Sequence, residues 1–339
     1  MILYVAKGRD AIYYAQEAMV LCYEMIIPTL FPFFVCSGLL IYSGFCESLS
    51  RIFSPVMKPL FNVNPSGSAA FVLGIISGYP LGAVTVCNLY EGFYISKSEA
   101  ERLLSFCNNS GPLFILASVG IGMYSGVEIG ILLYTVHIIS ALIVGFLMRF
   151  YKKDDFIAPK SQITTRENTP FAGFGEVLEN SVKSILNICG SIMLFSVISR
   201  LVLDFFSLDD VSFSFVSGIL EFASGTAKIA GLDLDFVKKM IMSAFVVGFA
   251  GISVLVQVMA VVSKHGLSLK PYILGKLLHG GISALLMWGV LRFLPKLETF
   301  KEVSLGGGFA MGSLYTVFAV FLILLIVILL KRKKKIKAT

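Results

Sequence analysis

The chain has 339 residues, 56% of them hydrophobic and only 14% charged, with a mean hydropathy of +0.85. A soluble domain carries roughly 25% charge, so a cytosolic enzyme is excluded and a polytopic membrane protein remains. Six of the seven units of formal net positive charge sit on Lys331, Arg332, Lys333, Lys334, Lys335 and Lys337. The rest is nearly neutral, so no nucleic-acid partner is implied, and the tail reads as a cytoplasmic anchor beside anionic headgroups.

In chain order, residues 1–27 carry Asp10, Gln16, Glu17 and Glu24 among aromatics and are expected to form an interfacial helix. No cleavable signal peptide is expected. The uncharged run 25–46 contains Pro28 and Pro32, and the run 59–90 is too long for one simple span. The latter holds Pro65-Ser66-Gly67-Ser68 and Ser77-Gly78-Tyr79-Pro80-Leu81-Gly82, which break a helix at membrane depth. Runs 103–127 and 129–148 follow, then a polar linker over 152–169. The second half offers ordinary spans at 184–203, 240–263, 272–292 and 309–330. Run 211–230 is short and has Glu221 at its centre. Runs 59–90 and 211–230 both read as re-entrant hairpins.

Charge parity supports this. Lys152, Lys153, Lys160 and Arg166 in the linker, like the tail, belong on the cytoplasmic side. An even number of spans must separate them, which excludes 211–230 as a fifth. Lys264, His265 and Lys270 then fall inside, and Asp204, Asp209, Asp210, Asp233 and Asp235 outside.

The chain also repeats itself. Phe71-Val72-Leu73-Gly74-Ile75 matches Phe215-Val216-Ser217-Gly218-Ile219. The break Phe106-Cys107-Asn108-Asn109-Ser110-Gly111 matches Val247-Gly248-Phe249-Ala250-Gly251-Ile252-Ser253, and the span around His137 matches that around His279. Each unit has three crossings, so the second copy is expected to be inverted, as in secondary transporters. The expected fold is an all-α polytopic membrane protein with two inverted-topology repeats, each carrying a re-entrant hairpin and a broken helix. The segments are an interfacial helix 1–27, a first repeat 28–150, a cytoplasmic linker 151–172, a second repeat 173–294, and a C-terminal helix with basic tail 295–339.

Candidate site residues are the polar groups inside apolar runs. Asn108, Asn109, Ser110 and Gly111 precede Pro112, which removes a donor and opens the helix. Ser98-x-x-Glu101 caps the helix leading to them, from about Glu99 to Cys107. The freed groups either face a cavity or brace neighbouring helices. Glu221 costs at least about 2.5 kcal/mol at mid-membrane, so it is functional or sits at a wet hairpin mouth. Ser224, Gly225 and Thr226 are placed at the tip of its hairpin, and Ser77 and Gly78 at the tip of the first. Lys228 is a counter-charge for an anion or a snorkelling lysine. Ser253, Gln257 and His279 complete the candidates; His137 and His279 either relay protons or bond a neighbouring helix.

Cys22, Cys36, Cys46, Cys87, Cys107 and Cys189 form no ligand spacing and read as small apolar residues, so no metal is expected. No Walker loop and no Ser/His/Asp set is present, which excludes ATP-driven pumping by this chain alone and argues against an enzyme.

Phe31-Pro32-Phe33-Phe34-Val35-Cys36-Ser37-Gly38-Leu39-Leu40, Pro55-Val56-Met57-Lys58-Pro59-Leu60-Phe61, Ser77-Gly78-Tyr79-Pro80-Leu81-Gly82-Ala83 and Phe106-Cys107-Asn108-Asn109-Ser110-Gly111-Pro112 resemble the YlbJ, or SpoVV, family of sporulation integral membrane proteins. That resemblance implies a nucleoside-recognition gate domain and likeness to concentrative nucleoside transporters. It implies movement of dipicolinic acid out of the mother cell across the outer forespore membrane, with Ser77, Gly78, Asn108, Asn109, Ser110, Glu221 and Ser224 as matching site positions. Physics leaves alternatives open: another small solute such as a nucleoside, or a scaffold that transports nothing. A dianion suits half-helix N-termini, Gly donors and Asn amides. Glu221 suits it only when protonated or holding a coupling proton or sodium ion. The lipid bilayer is the implied environment, and a homo-oligomer is possible.

Overall fold

The computed structural model describes residues 7–42, 45–152, 173–204 and 206–293. Most of the expected linker, the C-terminal helix at 309–330 and the basic tail lie outside the described residues. All the regular structure described is helical: α1 (Gly8–Leu21), α2 (Ile27–Tyr42), α3 (Phe45–Val56), α4 (Ser68–Ile76), α5 (Leu81–Glu91), α6 (Lys97–Cys107), α7 (Phe114–Met123, π-wound), α8 (Val127–Met148), α9 (Phe174–Leu203), α10 (Asp210–Leu220), α11 (Phe222–Gly231), α12 (Phe236–Phe249), α13 (Gly251–Val262) and α14 (Lys270–Phe293).

Among the described residues, five helical stretches are long and apolar enough to cross a membrane: Gly8–Cys36, Val127–Met148, Phe174–Leu203, Phe236–His265 and Lys270–Phe293. Their outer faces present apolar side chains such as Leu186, Leu194, Leu285 and Trp288, as lipid contact requires.

The N-terminal helix differs from expectation. It does not stop at residue 27; a π turn, Cys22–Ile26, carries α1 straight into α2. The joined helix lies along α9 in the opposite direction. Tyr14 donates to Asp204 at 2.8 Å and Glu17 meets Arg200 at 3.5 Å at one end, while Gly38 lies against Val177 at the other. Of the charges that suggested an interfacial helix, Glu17 is held by Arg200 at the end of α9.

After α3 the chain bends by 115° and forms two short arms, α4 and α5. A second pair of arms is α10 and α11. At 1.5 Å per residue each arm is about 14–17 Å long, half of a hydrocarbon core of about 30 Å. Local chemistry starts the helices. Ser96 and Glu99 form a reciprocal capping box on α6, Asp209 accepts from Val211 and Ser212 on α10, and Asp235 accepts from Lys238 on α12. The box on α6 thus sits two residues earlier than the expected Ser98/Glu101 pair. Glu101 is consequently free for another task.

That task joins three segments at one end of the bundle. Buried Glu101 accepts from Lys152 at 3.0 Å, from the Tyr151 hydroxyl at 3.0 Å and from the Ser268 N–H at 3.0 Å. Beside it, Arg102 donates to the carbonyls of Tyr151 and Lys152. At the opposite end, the Tyr124 hydroxyl after α7 meets Ser243 of α12 at 2.7 Å.

Candidate functional site

The first arm pair grips the break between α6 and α7 through glycines. A Cβ at Gly74 would stand 1.6 Å from the Cys107 carbonyl oxygen, and one at Gly82 2.1 Å from it. The carbonyl of the last helical residue is enclosed by backbone from both arms. Gly78, in the left-handed region at φ +76°, lets the turn approach Gly111 so closely that a Cβ would lie 2.7 Å from its nitrogen. Asn108 and Asn109 are fully buried. Asn108 accepts from the Ala83 N–H and donates to the Tyr272 hydroxyl, both at 3.4 Å; Asn109 donates to the Phe106 carbonyl at 2.8 Å. At the break, the Asn108 amide ties α5 to α14, while Asn109 folds back on the end of α6.

The second arm pair turns on one residue. Glu221 alone separates α10 from α11, in extended conformation at φ −142°. Its carboxylate folds back on α11, accepting from the Ala223 N–H at 3.0 Å and the Ser224 N–H at 2.6 Å. A carboxylate at a helix N-terminus satisfies orphan donors and meets the positive end of the helix dipole. The tip is therefore Glu221, and Ser224, Gly225 and Thr226 occupy the first turns of α11. Gly225 packs on Gly218 of the other arm, with its Cβ position 2.1 Å from the Gly218 Cα. Thr226 donates to the Phe222 carbonyl at 2.6 Å within its own helix. The matching break lies at Ala250 and Gly251, both left-handed at φ +73° and +76°, and Ser253 is already helical.

Between the two tips lies an inner cavity of about 50 Å³. Ser77, Gly78, Tyr79, Ser110 and Gly111 line it from the first half, and Glu221, Phe222, Ser253 and Gln257 from the second. Ser191 of α9 and Phe34 of α2 also face it. That volume admits a few waters, each needing about 10–15 Å³. An adjoining cavity of about 300 Å³ shares Phe34, Ser77 and Tyr79 and follows the first turns of α9 past Glu176, Asn180 and Ser184.

Seven of the sequence candidates thus meet at the inner cavity: Ser77, Gly78, Ser110, Gly111, Glu221, Ser253 and Gln257. Asn108 and Asn109 do not line it: Asn108 braces α5 against α14, and Asn109 bonds the end of α6. Thr226 and Gly225 serve the hairpin's own packing. His279 is away from the cavity; its Nε2 lies 2.9 Å from the His137 carbonyl and the two rings are 4.4 Å apart. Lys228 lies over the Phe213 ring at 5.5 Å.

Sequence reasoning missed Lys276. It is 1% exposed, and its ammonium donates to the Tyr79 hydroxyl at 3.2 Å and stands 5.1 Å from that ring's centre. The available signal was a lysine inside an apolar span that the repeat aligns with another span.

These features define an all-helical protein of the membrane-spanning class, with broken helices and paired helical hairpins around a central cavity. The arrangement is similar to that of a concentrative nucleoside transporter, CNTnw, solved as a point variant in its intermediate 3 state. The likeness has a TM-score of 0.53 over 85% of this chain and 83% of that one, at 14% identity. Residues 24–150 match the family model Gate, nucleoside recognition. The sporulation integral membrane protein YlbJ of Bacillus subtilis is 32% identical over 313 residues, 81% of this chain and 76% of the relative. The chain belongs to the YlbJ family of sporulation integral membrane proteins.

Proposed function

We propose that this protein is a sporulation membrane transporter that moves dipicolinic acid out of the mother cell across the outer forespore membrane. The carrying observation is the convergence of both hairpin tips and the first helix break on one cavity. A scaffold that transports nothing has no use for such a space.

The two halves are read as inverted repeats. The base of the first hairpin lies at the Glu101 end, where the Asn64 N–H donates to Glu99 of the same helix turn at 2.8 Å. The second hairpin starts and ends beside the opposite end, where α12 begins. The equivalent residues His137 and His279 touch each other, as residues on a pseudo-two-fold axis do. Each hairpin is then re-entrant, entering from its own side. With the basic linker cytoplasmic, the larger cavity opens toward the cytoplasm along the first turns of α9. That is the loading side for export. Glu221 is the site of a coupling proton or sodium ion, since its position at the tip reports directly on hairpin movement.

A nucleoside is the second reading, supported by the gate-domain match and the fold likeness. Proteoliposomes loaded with labelled dipicolinate or uridine separate the two. Saturable dipicolinate release is expected. Release of uridine alone selects the nucleoside reading, and release of neither selects the scaffold.

A further inference from the structure

We propose that Lys276 makes this site selective for anionic, carboxylate-bearing solutes, pairing with the ligand's carboxylate at the Tyr79 side of the cavity. The inference rests on the transporter reading above and names the charge that decides its substrate class.

Two ionisable groups of opposite sign are buried about the tips, and they differ in what they have left to offer. Glu221 offers only acceptors, which suit a coupling cation and not an anion, and each of its oxygens already accepts from one of the first N–H groups of α11. The half-charge at that helix end offsets much of what remains. Lys276 is uncommitted. Among the described residues no carboxylate lies within ion-pair distance of it, and its one hydrogen bond goes to a neutral phenol. An ammonium taken out of water without a counter-charge is costly.

Packing explains why it cannot escape. Gly275 lets α14 press on α6 so tightly that a Cβ there would stand 2.3 Å from the Ser105 carbonyl oxygen. One turn before Lys276 is Tyr272, held by Asn108, and one turn beyond is His279, held by the His137 carbonyl. The side chain is left one direction, toward the first hairpin tip. There Tyr79 lines both cavities on one side and holds the ammonium on the other. Lys276 itself lines neither cavity. A ligand carboxylate that displaces the Tyr79 hydroxyl, or bonds it, supplies the counter-charge that the buried amine lacks. A neutral solute brings no such charge. A carboxylate is the one partner that holds the buried amine in its charged form.

The test is binding to purified full-length protein in detergent, by calorimetry, of dipicolinate, benzoate, orotate and uridine. Wild type is expected to bind carboxylates in preference to uridine. Lys276→Gln retains a donor to Tyr79 and is expected to fold, yet to weaken carboxylate binding by about tenfold or more, the worth of one charge-assisted hydrogen bond. Lys276→Arg keeps the charge and a donor toward Tyr79, so carboxylate binding is expected to be retained. A purely structural lysine would make those two variants behave alike. Equal carboxylate affinity in wild type and Lys276→Gln overturns the assignment, as does a wild type that binds uridine alone. Binding of benzoate or orotate but not dipicolinate, lost in Lys276→Gln, refutes the dipicolinate reading while supporting the lysine.

Discussion

Glu221→Ala probes the hairpin tip. In the wild type two backbone donors, Ala223 N–H and Ser224 N–H, end on the carboxylate at 3.0 and 2.6 Å, and the residue is 1% exposed. Alanine leaves both donors without a protein partner, beside a cavity with room for only a few waters. Each orphaned buried donor costs about 1–3 kcal/mol, so the variant is expected to lose about 2–6 kcal/mol. Glutamine offers one carbonyl oxygen in place of two carboxylate oxygens, so Glu221→Gln should lose about half as much. The assay is unfolding of the purified protein in mixed micelles across an SDS titration, with helicity as the readout. A Glu221→Ala protein within about 0.5 kcal/mol of wild type, the ordinary scatter of neutral surface changes, would refute the idea that this cap holds the tip. The functional counterpart is separate. Glu221→Gln should alter how transport depends on pH or sodium, and unchanged profiles would remove Glu221 as a coupling site.

Gly74→Ala should strongly impair folding, because its Cβ meets backbone at Cys107 that no rotamer can clear; recovery of folded protein by size-exclusion chromatography checks this. Cysteine-accessibility labelling should place linker positions 152–169 and tail positions 331–339 on one face, and labelling from opposite faces would contradict the topology. The Glu101 hub should make stability fall in acid. Burial pushes the Glu101 carboxyl up, but hydrogen bonds from Lys152, the Ser268 N–H and Tyr151 outweigh it and hold the group below its ordinary 4.5. Glu101 precedes the apolar run, and its contribution is complete above that ordinary value and lost as pH falls through the lowered one. An unfolding midpoint that declines below about pH 4.5 in wild type, and less in Glu101→Gln, is the expected result.

The class of this protein and two of the places where its helices break were legible in the amino-acid sequence. The reason is that each depends on local chemistry: the length of an apolar run, a proline or glycine inside it, a capping side chain. The break at 108–111 and the turn at 77–80 carry their own signals, and they form where those residues stand. The second hairpin shows the limit of that reasoning. Ser224-Gly225-Thr226 looks like a turn, yet Glu221 makes it, because glycines 218 and 225 let the arms close and a carboxylate caps the next helix better than a hydroxyl loop would. Only the tertiary structure decided which polar groups face the cavity. Asn108 and Asn109 sit in a non-helical segment with no periodic face, so sequence cannot say whether an amide points at a ligand or at Tyr272 and Phe106. Lys276 is one letter of a repeat until Gly275 seats α14 on Ser105 and Tyr79 crosses above it. Burial of a charge depends on residues some 170 to 200 positions away in the chain, and no local pattern records contacts that distant.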